Sequence, residues 1–260
     1  MRERQEDAFG MYEDVDGFDL FVISDGMGGH PNGAVASKTA VEYFPTAFRH
    51  ARDFEKRLLE AEVVPWVAFR RRLEEAFFDV TSKILPSVGG ATLSVLLRRR
   101  KDDRTVVAWA GDSPVLHLRR EAGRPALRAV RSTKDHGLGW ILGKMVGEPA
   151  ISQSSSYERR LDKPEVEDWK TPEPGDLFLL CTDGVSGVFP SVPMRERFLS
   201  LGPRGERFLC EGHPSVERKI GERLSEHPVD AELPKWLVDE ALNYDSSDNC
   251  TAICVSVEAL

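Results

Sequence analysis

Cysteine is scarce in this chain, and its placement suggests neither a disulfide framework nor a zinc knot. Cys181, Cys210, Cys250 and Cys254 include no Cys-x-x-Cys pair, and Cys210 with His213 has no second pair to complete a tetrahedral site. Cys181, Cys250 and Cys254 fall in or beside apolar runs, where reduced core thiols are expected. No apolar stretch approaches the length that spans a bilayer, and the charged start MRERQEDAFG lacks the apolar segment of a secretory signal. No membrane association and a cytoplasmic location are therefore expected. Basic charge is in deficit as well. With 43 Asp and Glu against 35 Lys and Arg, the net charge is -8 and the pI is near 5.4, which argues against a nucleic-acid partner. The one basic run, RRRK at 98–101, is followed by Asp102 and Asp103 and reads as a solvated hairpin tip. Two nucleotide-binding fingerprints fail in GGHPNGAVAS. Ala34 and Val35 stand where a P-loop needs lysine and a hydroxyl, and Pro31 stands at the third glycine of a dinucleotide motif.

What remains is the composition of a folded globular chain of 260 residues, 41% apolar and 30% charged, without internal repeats. Strand-length apolar runs occur at 19–24, 92–97, 105–110, 115–118, 177–181 and 251–257, and turn-rich RRRKDDR and REAGRPA read as hairpin connections. The alanine-rich segment 33–50 reads as a helix that Pro45 kinks or breaks. In 66–80, Phe69, Leu73, Phe77 and Val80 recur at helical spacing and predict a core-facing stripe. Segments 215–224 and 234–242 also read as helices. Helices between strands, with hairpins elsewhere, indicate an α+β fold.

Acids end several of these strands. FVISDG contributes Asp25, VVAWAGDS contributes Asp112 and LFLLCTDG contributes Asp183, while Asp248 precedes the last strand and Glu6 and Asp7 stand near the start. A single strand-end aspartate is usually a turn residue. Several together, brought to one sheet edge, would repel unless hard divalent cations sat among them. A glycine at position 26 lets a carbonyl approach such an ion.

These residues carry a resemblance. RERQED, SDGMGGH, GGATLSVLL, AGDS, TKDH, CTDG and SDN occur in the order found in the type 2C metal-dependent protein phosphatases of the bacterial branch (the PPM family), from residue 2 to near the C-terminus. The resemblance implies one phosphatase domain over 1–260, built as a four-layer α-β-β-α sandwich of two antiparallel sheets flanked by helices. A flap is expected at 137–173 beside the active site and an insertion at 190–234. Arg2 would bind the substrate phosphate, and Glu6, Asp25 and the Gly26 carbonyl would hold one Mn²⁺ or Mg²⁺ ion. Asp25, Asp183 and Asp248 would hold a second. Asp7 would orient the attacking water and Asp112 would belong to a weak third metal site. The implied reaction is hydrolysis of phosphoserine or phosphothreonine in protein substrates by a hydroxide bridging two metals, opposing a serine/threonine kinase.

The chain departs from the family at three places. Met27 stands where many eukaryotic members carry a histidine that protonates the leaving group, which leaves His30 and His136 as candidates. Pro114 replaces a usual arginine after GDS, and Gly187 stands where some members place a further acid. Both weaken the third site and leave the other two metals untouched. The rival reading is a catalytically weakened phosphatase-like regulator that binds phosphoproteins.

Overall fold

In the computed structural model, residues 4–27, 32–49, 66–85, 89–120, 127–138, 141–142, 144–147, 163–194, 214–227 and 229–258 are described. The strands in chain order are β1 (Asp7–Val15), β2 (Phe18–Asp25), β3 (Gly90–Ala91), β4 (Leu93–Arg99), β5 (Thr105–Ala110), β6 (Val115–Arg120), β7 (Leu127–Ser132), β8 (Gly137–Leu138), β9 (Ile141–Leu142), β10 (Val146–Gly147), β11 (Glu165–Lys170), β12 (Leu177–Cys181) and β13 (Ala252–Ser256). The helices are α1 (Gly33–Arg49), α2 (Trp66–Ile84), α3 (Asp183–Ser186), α4 (Val216–Glu226) and α5 (Leu233–Asn243). The expected α+β class holds. The elements fall into two compact units, one formed by Glu6–Asp112 with His136–Thr171, the other by Met1–Gln5, Ser113–Asp135 and Pro172–Leu260.

The first unit is a five-stranded antiparallel sheet in the order β1-β2-β4-β5-β11, with α1 and α2 packed on it. Strand alternation sends Leu20, Val22, Val95 and Leu97 toward the helices, where they meet Phe44, Phe48, Phe69, Leu73 and Phe77. Phe18 stacks on Phe69 at 5.3 Å, and Phe44 meets Phe77 edge-on at 5.7 Å, so the helical stripe expected in 66–80 is the core contact.

Of the kink or break expected at Pro45, the break does not occur: α1 runs on to Arg49. A proline inside a helix strands the carbonyl four residues earlier, here that of Val41. The Tyr12 hydroxyl of β1 donates to that oxygen at 3.0 Å, so the defect is filled from the neighbouring strand. Burial and the nearby Glu42 carboxylate push the Tyr12 phenol above its ordinary value, keeping it a donor at neutral pH.

The basic run forms the β4–β5 hairpin tip as expected, with Arg100 and Lys101 exposed. Its arginines also pair with acids. Arg98 Nε donates to Asp103 at 2.8 Å, the buried Arg99 pairs with Asp102, and Arg100 Nε donates to Asp19 at 2.6 Å.

The second unit is a four-stranded antiparallel sheet in the order β13-β12-β6-β7, covered by α4 and α5. Leu116, Leu179, Val185, Phe189, Ile220 and Leu237 form the centre of its core. Ser215 caps α4 by accepting the Arg218 N–H at 3.3 Å. Before β12, the buried Asp176 accepts from Arg119 at 2.6 and 2.8 Å, from the Glu173 N–H at 2.8 Å, and faces His117 Nε2 at 2.7 Å. Among the described residues no helix is long and apolar enough to cross a membrane. Of the expected flap, 148–162 lies outside the described residues, as does 195–213 of the expected insertion.

Candidate functional site

One end of the five-stranded sheet gathers the acids of the first unit. β1 begins at Asp7 and β2 ends at Asp25, and the two residues are direct partners across the ladder, which places both side chains on the same face. The Glu6 carbonyl accepts the Gly26 N–H at 3.0 Å and the Ser37 hydroxyl at 2.5 Å, tying the start of β1 to the end of β2 and to α1. Asp25 is held on its other side by Thr92. The Thr92 hydroxyl accepts the Asp25 N–H at 2.8 Å, and the Thr92 N–H donates to the Asp25 carbonyl at 2.8 Å. A Cβ on Gly26 would stand 2.3 Å from the Gly33 carbonyl oxygen and 2.8 Å from that of Glu6. Glycine at 26 is thus required by backbone approach between β2 and α1, whatever its carbonyl binds.

The second unit repeats the arrangement with different residues. Asp183 follows the end of β12, and Asp248 stands four residues before β13, the strand paired with β12. The Thr182 N–H donates to the Thr251 carbonyl at 3.1 Å, and the Thr251 N–H donates to the Thr182 hydroxyl at 3.1 Å. Ser246 Oγ donates to the Gly184 carbonyl at 2.8 Å. In each unit, therefore, an Asp-Gly step ends the strand next to an edge strand, and the acid-bearing turn before that edge strand is bonded to it. Gly187 presses on the Asp183 carbonyl, 2.7 Å from where its Cβ would be, a structural reason for glycine at that position. The Pro114 carbonyl accepts the Cys181 N–H at 3.1 Å, so the substitution after GDS leaves β12 in register.

Asp112 follows β5 beyond Gly111, whose neighbour Thr92 links that strand end to Asp25. His136 stacks on Trp109 at 5.7 Å. Its Nδ1 accepts the Gly111 N–H at 3.1 Å, and its Nε2 lies 3.1 Å from Glu165 Oε1. Burial works to raise the Glu165 carboxyl, but bonds from His136 and Lys144 hold it below the usual carboxylate range. Both ring nitrogens of His136 thus engage groups of their own unit, an arrangement that orients the end of β5. Arg2 and His30 lie outside the described residues, as do Gly28 and Gly29 of the glycine-rich turn.

Every donor in these two sets is a carboxylate or carbonyl oxygen, the chemistry that Mg²⁺ and Mn²⁺ prefer, and the set fits such ions in kind. Among the described residues no three His, Cys, Asp or Glu side chains are grouped closely enough to hold a metal ion. Reading the sequence for acids missed the residues that position them. Thr92, within GGATLSVLL, and Thr182, within CTDG, use their hydroxyls to bond the neighbouring strand's main chain. The available signal was a threonine next to Asp183 and another two residues after Gly90.

Comparison with known proteins places the chain in a family. The sequence profile of the family Protein phosphatase 2C matches residues 2–238. The serine/threonine phosphatase stp of Listeria monocytogenes is 26% identical over 228 residues, covering 82% of this chain and 86% of that protein. The protein phosphatase PTC7 homolog fig of Drosophila sechellia is 34% identical over 155 residues, 59% of this chain and 47% of that protein. The structure of the S. agalactiae serine/threonine phosphatase superposes with a TM-score of 0.65 at 17% identity, covering 99% of this chain and 95% of that one. That of the Mycobacterium tuberculosis serine/threonine phosphatase PstP/Ppp gives 0.57 at 22% identity, over 100% and 94%. With the profile spanning nearly the whole chain, this protein is a member of the protein phosphatase 2C family.

Proposed function

We propose that this chain is a serine/threonine protein phosphatase that works with two Mn²⁺ or Mg²⁺ ions. The observation that carries the reading is the direct opposition of Asp7 and Asp25 at the β1–β2 end. Like charges facing each other across a ladder destabilise a sheet, and a cation relieves that cost. The names of the relatives support the reaction class, and the oxygen-only donors support the kind of ion. When bound, such ions lower the pKa of water and draw charge from phosphoryl oxygens.

The residues divide the remaining work. Glu6, Asp25 and the Gly26 carbonyl would hold one ion, and Asp25, Asp183 and Asp248 the other, with Asp112 toward a weak third. Asp7 would orient the attacking water by accepting its proton. Arg2 would take the substrate phosphate through its guanidinium fork. Thr92 fixes the Asp25 main chain at both its N–H and its carbonyl. Cys181 and Cys254 are unbridged thiols, which suits a reducing cytoplasm where a serine/threonine kinase supplies phosphoprotein substrates.

The test is phosphate release from a phosphothreonine peptide with Mn²⁺, with Mg²⁺ and with chelator, using Asp25→Ala as control. Metal-dependent release lost in the variant supports the proposal. A folded protein that binds metal and releases nothing would instead be a phosphoprotein-binding regulator.

A further inference from the structure

The motif TKDH takes no part in the reaction set out above, yet its histidine is held from three directions at the end of β5. The His136 side chain is 7% exposed and lies parallel to the buried Trp109 ring, with an interplanar angle of 3°. Its Nδ1 accepts the Gly111 N–H at 3.1 Å, and its main-chain N–H donates to the Gly111 carbonyl at 3.1 Å. Both main-chain polar groups of Gly111 are thus bonded to one residue. Glu165, at the start of β11, is the ladder partner of Trp109 and brings its carboxylate to the far side of the same imidazole.

These contacts fix where the ring carries its proton. An Nδ1 that accepts an N–H presents a lone pair, so the neutral ring is protonated at Nε2, which lies 3.1 Å from Glu165 Oε1. A second proton, placed on Nδ1, would set two donors against each other and break the bond from Gly111. A general acid must have a proton to give to the leaving group, and the one proton of this ring faces Glu165 instead.

Gly111 joins this grip to two of the candidate acids. Its φ of +120° is a conformation that favours glycine, and a Cβ built on it would stand 2.7 Å from the Thr92 Cβ. Thr92 in turn bonds Asp25 at its N–H and its carbonyl, while Asp112 follows Gly111 directly and shares its peptide. Displacing Gly111 therefore reaches Asp112 through a peptide bond and Asp25 through Thr92. We propose that His136 is a positioning residue, locked by Glu165 in the tautomer that grips Gly111, and that this grip places Asp112 and Asp25 for metal binding while His136 leaves the leaving group unprotonated. The proposal rests on the phosphatase reading above.

Leaving-group dependence separates a positioning residue from an acid. p-Nitrophenyl phosphate departs as a stable phenolate and needs little help from a proton donor, whereas phenyl phosphate depends on one. Turnover of both is measured with Mn²⁺ on the full chain and on His136→Ala, Glu165→Ala and Glu165→Gln. The expected result is an equal loss on the two substrates, about 10- to 100-fold in His136→Ala and in Glu165→Ala. Glu165→Gln, whose amide oxygen still accepts from Nε2, should keep most of the turnover. Calorimetric titration with Mn²⁺ should show weaker binding in the two alanine variants, and the Gly111 amide, followed by NMR without metal, should exchange faster in both. Glu165 is 43% exposed, so its truncation tests the lock without opening a core. A loss confined to phenyl phosphate in His136→Ala makes that residue the acid and overturns the proposal. So does a Gly111 amide that exchanges at the parent rate in Glu165→Ala. If the parent hydrolyses neither substrate while amide exchange and Mn²⁺ binding respond as expected, the phosphatase reading fails and the positioning role stands.

Discussion

Gly184 and Asn249 meet backbone to backbone. A Cβ on the glycine would stand 1.9 Å from the Asn249 carbonyl oxygen, well inside van der Waals contact, so the turn carrying Asp248 rests directly on the step carrying Asp183. Neither atom is the end of a flexible side chain, and the added methyl has nowhere to go.

Gly184→Ala should therefore cost about 1–3 kcal/mol, the range for overpacking a closed site. At about 2–4 °C per kcal/mol for a chain of this size, thermal unfolding should show a drop of several degrees. Phosphatase activity should fall with it, because Asp248 is displaced from Asp183. An unchanged melting temperature would show that the turn relaxes freely.

Thr92 offers a finer probe of the same principle. Thr92→Val keeps the shape that packs against Gly111 but removes the acceptor of the Asp25 N–H, stranding a polar group at a cost of about 1–3 kcal/mol. Turnover should fall while Thr92→Ser, which keeps the hydroxyl, retains most of it. Comparable loss in both variants would assign the effect to packing.

The acids themselves should behave as ligands. Asp25→Ala, Asp183→Asn and Asp248→Asn should each lower turnover by more than the roughly 10- to 100-fold that loss of an outer-shell partner costs. Titration with Mn²⁺ should show a higher metal demand for the two asparagine variants. Circular dichroism should show the fold retained, since these residues lie at sheet ends and not in the cores.

Asp176 gives a pH dependence. Burial alone would raise its carboxyl, but the Arg119 fork, the Glu173 N–H and His117 together hold it below the ordinary carboxylate value. A depressed folded pKa stabilises the protein above the unfolded value near 3.9 and loses that contribution as pH falls through the folded value. Asp176→Asn should then be less stable than the parent by about 1.5–3 kcal/mol at pH 7, the worth of hydrogen bonds to a charged group. The gap should close as urea titrations move below about pH 4.

The sequence made the sheet centres legible and the edges obscure. β2, β4, β5 and β12 read as strands because burial on one or both faces demands continuous or alternating apolar residues, and LFVIS or LFLLC supplies them. β1 and β11 escaped. As edge strands they bury little, and their apolar runs are broken by charge: DAFGMYEDV carries three acids and EVEDWK four charged residues. The strand-end acids stood out because three separate apolar runs each finish on an aspartate followed by a small residue. The reason for the glycines did not, since Gly26 and Gly184 answer to residues 33 and 249, contacts that only the folded chain reveals.

The bond from Tyr12 to the Val41 carbonyl makes the behaviour of two elements inseparable in time. Sheet edges ordinarily fray on their own, exchanging amide hydrogens at little free-energy cost. Here β1 cannot lift away without stranding the one carbonyl that Pro45 leaves unsatisfied inside α1, so strand and helix should open as a single cooperative unit. Amides of the two segments should then exchange with a common opening free energy, and Tyr12→Phe should uncouple them, freeing the edge to breathe while the helix stays closed.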